Sequence, residues 1–310
     1  MMTTEEKLHD PWLVAVWPGM GGVAITAGYY LMAKLGMHLL LEFSATDYFD
    51  IDQVEVKDGL ILIRRLPRSR MFLWSDPKKQ RDLIVFIGEA QPPARGGAFC
   101  RNVIEQAKIL GVRRVFTFAA MATAMRPKDD SRVFGAAIDR ETLAEFKQLD
   151  VDILESGSIS GLNGVLLGMA AASGLPGGCL LGEIPHLFSQ IPFPKGALAV
   201  LETFTTMTGT EPDFAELREH SETVEQTLEE FLLRMENAME QAQPGNLPAP
   251  VQDTGDIPRT DSTVRKHIEE MFATARQDRA RAYELKQELD RLGLFNEFED
   301  RFLDLFKDPE

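Results

Sequence analysis

Cysteine is scarce: the 310 residues contain two, Cys100 and Cys179. Each falls in a segment predicted to be regular structure, so both are expected to be small buried hydrophobes in a reducing compartment, not a disulfide or a thiolate metal site. The five histidines, His9, His38, His186, His220 and His267, are scattered. With no HExxH pair and no Cys/His cluster, no metal is expected. No GxxxxGK[ST] run occurs, which excludes a P-loop. The N-terminal MMTTEEKLHD is acidic where a secretory signal needs a basic and then an apolar region, so a cytoplasmic location is expected. Long apolar runs are also missing. The most apolar stretch, Leu162 to Leu181, is broken by Gly174, Pro176, Gly177 and Gly178, so no membrane span is expected.

What is present is an ordinary globular composition, 44% hydrophobic and 26% charged, with a formal net charge of −15. The charge is unevenly placed. Residues 1–200 hold 21 basic and 22 acidic side chains, whereas residues 201–310 hold 12 and 26. An acidic surface repels nucleic acid and anionic membrane, which disfavours both as partners. Such an asymmetry marks a solvated face or, less often, a docking surface for something basic.

From Trp12 to about Met207, short apolar runs alternate with helical periodicity. Trp12–Trp17 (WLVAVW) is apolar throughout, as a strand covered on both faces must be. Val23, Ala27, Tyr30, Leu31 and Leu35 recur at helical spacing after Gly19–Gly22, and Gly36 stands where a C-cap glycine belongs. Met37–Phe43 is expected to close a strand–helix–strand unit. Asp58-Gly59, between VEV and LILI, predicts a hairpin. Further strands are expected at Leu83–Ile87, Val112–Phe118, Val151–Leu154 and Gly178–Ile184. Helices are expected at Gly96–Leu110, from Asp139 to Leu149, at Leu162–Ser173 and at Gly196–Met207. This alternation argues an α/β fold of three layers, a mostly parallel sheet with helices on both faces.

The tail differs. Phe214, Leu217, Val224, Leu228, Phe231, Met235 and Met239 mark an amphipathic helix, with Pro212 suited to its first turn. Residues 243–261 carry four prolines and no apolar periodicity, the composition of a linker. Val264 to Leu292 then alternates by fours and threes, heptad-like, with Asp278 interrupting the seam. Phe295, Phe298, Phe302 and Phe306 need burial, either against the α/β part or between subunits.

In open α/β sheets, ligands bind at the C-terminal ends of parallel strands. Four polar, small-residue loops are expected there: Pro18–Gly22, Gly88–Pro93, Ala119–Arg126 and Glu155–Gly161. Gly19, Gly21, Gly22, Glu89, Gln91, Arg126, Glu155, Ser156, Ser158 and Asn163 are the resulting ligand-binding candidates. Gly19 to Ala24 satisfies G-x-G-x-x-A, and Glu42 lies near the end of the next strand, where a ribose-binding acid would sit. The same glycines fit a plain tight turn, the reading preferred here, and no cofactor is expected. Gly157–Gly161 sits where a nucleophile elbow would, but no serine has glycine two residues before and after it. His186 could pair with Ser158 or Ser160 only outside that pattern. The basic stretch Arg64, Arg65, Arg68, Arg70, Lys78 and Lys79 is expected to meet the acidic tail of another subunit.

Pro11–Gly22 (PWLVAVWPGMGG), Gly157–Gly168 (GSISGLNGVLLG) and Gly177–Pro185 (GGCLLGEIP), in that order, resemble landmarks of the proteasome assembly chaperone 2 family, from roughly Pro11 to Arg234. The resemblance implies a fold related to nucleoside phosphorylases at residues 11–209. A helical extension at 210–242, the linker and a C-terminal helical segment at 262–310 follow. It also implies a homo-oligomer, taken as a trimer by family analogy, that assembles with another protein complex. The alternative is a phosphorylase- or hydrolase-like enzyme, or a nucleotide- or phosphate-binding protein, using the strand-end cleft. Members that act on the proteasome end in hydrophobic-Tyr-any. This sequence ends Lys307-Asp308-Pro309-Glu310, so docking by that route is not expected.

Overall fold

A computed structural model describes residues 8–50, 54–57, 59–63, 65–241 and 262–307. The linker at 243–261, Asp58 of the hairpin turn, Arg64 and the last three residues lie outside the described residues. The first half of the chain supplies β1 (Trp12–Val16), α1 (Val23–Lys34), β2 (His38–Phe43), β3 (Val54–Lys57), β4 (Leu60–Ile63), β5 (Ser69–Trp74), β6 (Leu83–Gly88) and α2 (Gly96–Ile109). Then come β7 (Arg114–Thr123), β8 (Val133–Ala137), α3 (Arg140–Gln148), β9 (Asp152–Ile153), α4 (Gly161–Ala172), β10 (Gly177–Pro185) and α5 (Pro194–Thr208). The tail forms α6 (Ala215–Gln241), α7 (Ser262–Gln277), α8 (Ala282–Arg291) and α9 (Phe295–Leu303).

Eight strands form one mixed sheet in the order β2-β5-β6-β1-β7-β10-β8-β9, and β3 and β4 pair apart as a hairpin. At its centre β6, β1, β7 and β10 run parallel. β5 runs against β6, while β8 runs against β10 and carries β9 alongside it. The central strands are apolar because both faces are covered. Trp12, Val14 and Val16 of β1 enter one core, Leu13 and Ala15 the other. Two strands were not anticipated, β5 and β8. Ser69–Trp74 begins inside the basic stretch, and Val133–Ala137 is short and rich in Ala and Gly, so neither shows a strong period. β5 pairs between β2 and β6, which leaves β2 at the sheet edge, separated from β1 by β6 and β5.

Helices α2 and α4 cover one face, and α1, α3 and α5 the other, with the tail helices outside α1 and α5. Asp139 caps α3 by accepting from the Thr142 N–H at 2.9 Å. Pro212 lies before α6, which begins at Ala215, and not in its first turn. The heptad-like segment is broken where Asp278 caps a short turn, so α7 and α8 fold against each other. Phe302 and Phe306 are buried within the chain and Phe295 and Phe298 half-buried there: Phe295 and Phe302 stand edge-on to Tyr29, and Phe306 packs on Phe72.

A Cβ on Gly182 would lie 2.2 Å from the Gly196 carbonyl oxygen, because α5 rests directly on β10. Gly182→Ala is expected to cost about 1–3 kcal/mol, read as a lower midpoint in urea or thermal unfolding. Burial pushes both cysteine thiols up to about 12. At pH 8 the native chain should therefore not react with a disulfide reagent, and should yield two thiols once unfolded. Rapid native labelling would contradict this.

Candidate functional site

The C-terminal ends of β6, β1, β7 and β10 lie along one rim. After β1 the chain turns through Gly21 and Gly22, both left-handed at φ +60° and +59°. Glycine is required at 21, where a Cβ would meet Ile184 at 3.0 Å. Gly19 is extended. Two amides of this turn are already spent: Gly21 N–H donates to Ser189 O at 2.7 Å and Gly22 N–H to Gly19 O at 3.0 Å. Those donors cannot also cradle a phosphate. Glu42 ends β2 at the sheet edge, where Arg68 and Arg70 bind it. The dinucleotide pattern thus lacks its neighbouring acidic strand, and the plain turn is what the geometry provides.

Glu89 follows β6 and is buried. Its Oε2 accepts from Arg65 Nη1 at 2.5 Å and from the Arg68 amide at 2.8 Å. Arg70, 2% exposed, lies 3.8 Å from its Oε1. Helix α9 closes this cluster from above. Asp300 binds Arg65, Arg68 and Arg70 at 2.6, 2.8 and 3.1 Å, while Glu299 accepts from Tyr29 Oη at 3.0 Å and lies 3.3 Å from Arg65. Arg65, Arg68 and Arg70 therefore meet the acidic tail of their own chain. This replaces the expected contact to another subunit. Burial works against the Asp300 charge, but the three arginines outweigh it and hold that carboxyl below the usual range. Glu299 goes the other way. Burial, then the neighbouring Glu89 charge, raises it to about 7.

The other rim candidates are likewise engaged. Gln91 Oε1 accepts the Leu162 N–H at 3.1 Å, capping α4. Asn163 Nδ2 donates to Phe118 O at 3.1 Å. Arg126 is gripped by α6, through Glu229 at 2.9 Å and Glu236 at 2.9 Å. His186 Nδ1 is 2.8 Å from Thr123 O. An acid missed in the sequence, Glu183 near the end of β10, is buried and binds Arg132 at 2.7 Å and Thr123 at 2.7 Å. It sits in the apolar run GGCLLGEIP, where a lone carboxylate between strand residues was the available signal.

Glu155, Ser156 and Ser158 do not join this rim. β9 runs opposite to β10, so the loop leaving it starts from the other direction, and only its end, Gly161, reaches Gln91. The expectation of four loops sharing one edge thus holds for three. The fourth borders its own groove of about 360 Å³, floored by Ala136, Leu154, Ile159 and Leu167.

A family model described as the PAC2 family matches residues 13–232. The chain belongs to the PAC2 family. That match covers the sheet, its covering helices and most of α6, while α7–α9 lie beyond it. The uncharacterized protein MJ1210 of Methanocaldococcus jannaschii is 26% identical over 241 residues, 77% of this chain and 89% of that one. Solved structures share the fold. Pyrococcus furiosus PbaB, an archaeal proteasome activator, superposes with a TM-score of 0.62 at 24% identity, over 74% of this chain and 96% of its own. P. furiosus PbaA, an archaeal homolog of proteasome-assembly chaperone, gives 0.58 at 25% identity, over 76% and 92%. The Mycobacterium tuberculosis proteasome-assembly chaperone homologue Rv2125 gives 0.61 at 22%, over 71% and 94%.

The titration of Glu299 makes α9 docking pH-dependent. Its folded pKa of about 7 lies above the ordinary 4.5, so its contribution is full below pH 4.5 and is lost as pH rises through 7. Glu299→Gln removes that slope. The variant should gain thermal stability relative to the parent between pH 5 and pH 8, measured as the difference in midpoints. A constant difference would refute the assignment.

Proposed function

We propose that the chain works by binding protein, as a cytoplasmic homo-oligomer of the assembly type that performs no chemistry of its own. The observation that supports this reading is the fate of the strand-end rim. The turn at Gly21 and Gly22, Glu89, Gln91, Arg126 and Asn163 are all bonded to other parts of the same chain. Side chains that would meet a substrate instead hold the fold and its helical extension together. PbaB is named a proteasome activator, and PbaA and Rv2125 homologues of a proteasome-assembly chaperone. A protein complex is accordingly the class of partner proposed here. A trimer is the working stoichiometry by family analogy, and the acidic balance argues against nucleic acid and anionic membrane.

A second reading rests on the groove beside Glu155, Ser156 and Ser158, whose apolar floor and polar lip suit a small molecule. One set of measurements separates the two. Light scattering on the full chain should give a multiple of its 34.7 kDa mass, and affinity capture should recover one protein in stoichiometric amount. Thermal midpoints should stay flat across nucleosides, nucleotides, phosphate and NAD. A saturable rise with one of these compounds, together with a monomeric mass, would overturn the protein-binding reading in favour of the groove.

A further inference from the structure

Among the described residues, two surfaces expose large apolar side chains in groups. The first is the β3–β4 hairpin. Its register pairs Val56 with Ile61 and sets Val54 two residues from Val56 on the same strand, so these three β-branched residues share one face. Val54, Val56 and Ile61 are 50, 67 and 71% exposed, and Leu60 next to them 67%. A two-stranded ribbon is only marginally stable by itself in water and needs a covering surface.

The second surface lies on the strand-end rim. Gly21 N–H bonds Ser189 O and Phe193 N–H bonds Gly21 O, which ties Met20 to the loop carrying Leu187 and Ile191. Phe231 of α6 joins them through Phe188, their ring centroids 6.1 Å apart. Met20, Leu187, Ile191 and Phe231 are 46, 59, 43 and 53% exposed. By contrast, exposed Ile109 and Val165 stand on separate helices, α2 and α4, and single apolar residues need no explanation.

We propose that copies of this chain join head to tail, with the apolar hairpin face of one seated on the Met20–Leu187–Ile191–Phe231 patch of the next. The occupant follows from charge as well as shape. The charged groups bordering the patch are neutralised within the chain, Arg126 by Glu229 and Glu236 and Lys195 by Glu225. Those two cations therefore offer no free charge to a charged partner, and Val54, Val56 and Ile61 bring none to the patch. The hairpin springs from the C-terminal end of β2 and the patch from those of β1 and β10, so both open on one side of the sheet. Two different surfaces on one molecule make a heterologous contact, which closes into a ring or extends as a filament. The inference rests on the homo-oligomer reading and names its interface.

Two variants test it, Val56→Asp/Ile61→Asp on the hairpin and Leu187→Asp/Phe231→Asp on the patch. All four positions are more than half exposed, so circular dichroism and thermal midpoint should be unchanged. Each variant alone should scatter light as a monomer. Mixed one to one they should form a dimer and stop there, because the mixture retains one intact hairpin and one intact patch per pair. A Val56→Cys/Leu187→Cys chain should oxidise into a covalent oligomer ladder, with Cys100 and Cys179 silent because both are buried. If either aspartate variant keeps the parent mass, or the mixture stays monomeric, this interface is wrong while the oligomer reading stands. A monomeric parent protein removes both.

Discussion

Helix α1 is buried on every side, and the rest of the architecture answers to that constraint. Ala24, Ala27, Tyr30, Leu31 and Met32 all lie in the core, as does Tyr29 beneath the tail helices. An α/β sheet covers one side of such a helix. The other side must be covered by something added, and the chain adds α7–α9. Tyr29 contacts Phe295 and Phe302, and Tyr30 contacts Phe214 and Tyr283, so aromatic rings from three tail helices or their approaches converge on two adjacent tyrosines.

The ion pairs above this aromatic contact decide where α9 lies more than how strongly it binds. Exposed pairs contribute about 0–1 kcal/mol each. Arg70 is the exception because it is buried, and with Glu89 it forms a pair that would be costly to break on one side. Removing the charge from residue 299 and removing it from residue 300 should therefore act in opposite senses. One carboxyl is held away from its charged form by burial, the other is held in it by three arginines.

The charge asymmetry of the sequence gains a different meaning in three dimensions. Among the described residues, the acidic last third does not simply face solvent. Its carboxylates reach back to Lys34, Arg65, Arg68, Arg70, Arg126 and Lys195 of the first two thirds. In doing so they occupy the rim where α/β folds usually bind small ligands.

The sequence alone determined the central strands, most helices, the glycine turn and the burial of both cysteines, because each is written in local periodicity or in a residue's intrinsic limits. Strand order, the direction of β9 and the partners of Glu89, Arg126 and Glu299 depended on the tertiary structure. Those are pairings between residues up to 270 positions apart, and no local pattern encodes which arginine a distant carboxylate will meet. The loop at Glu155 shows the difference most simply. Its composition was that of a ligand-binding turn, but one antiparallel strand between β10 and β9 reversed its direction and carried it away from the others.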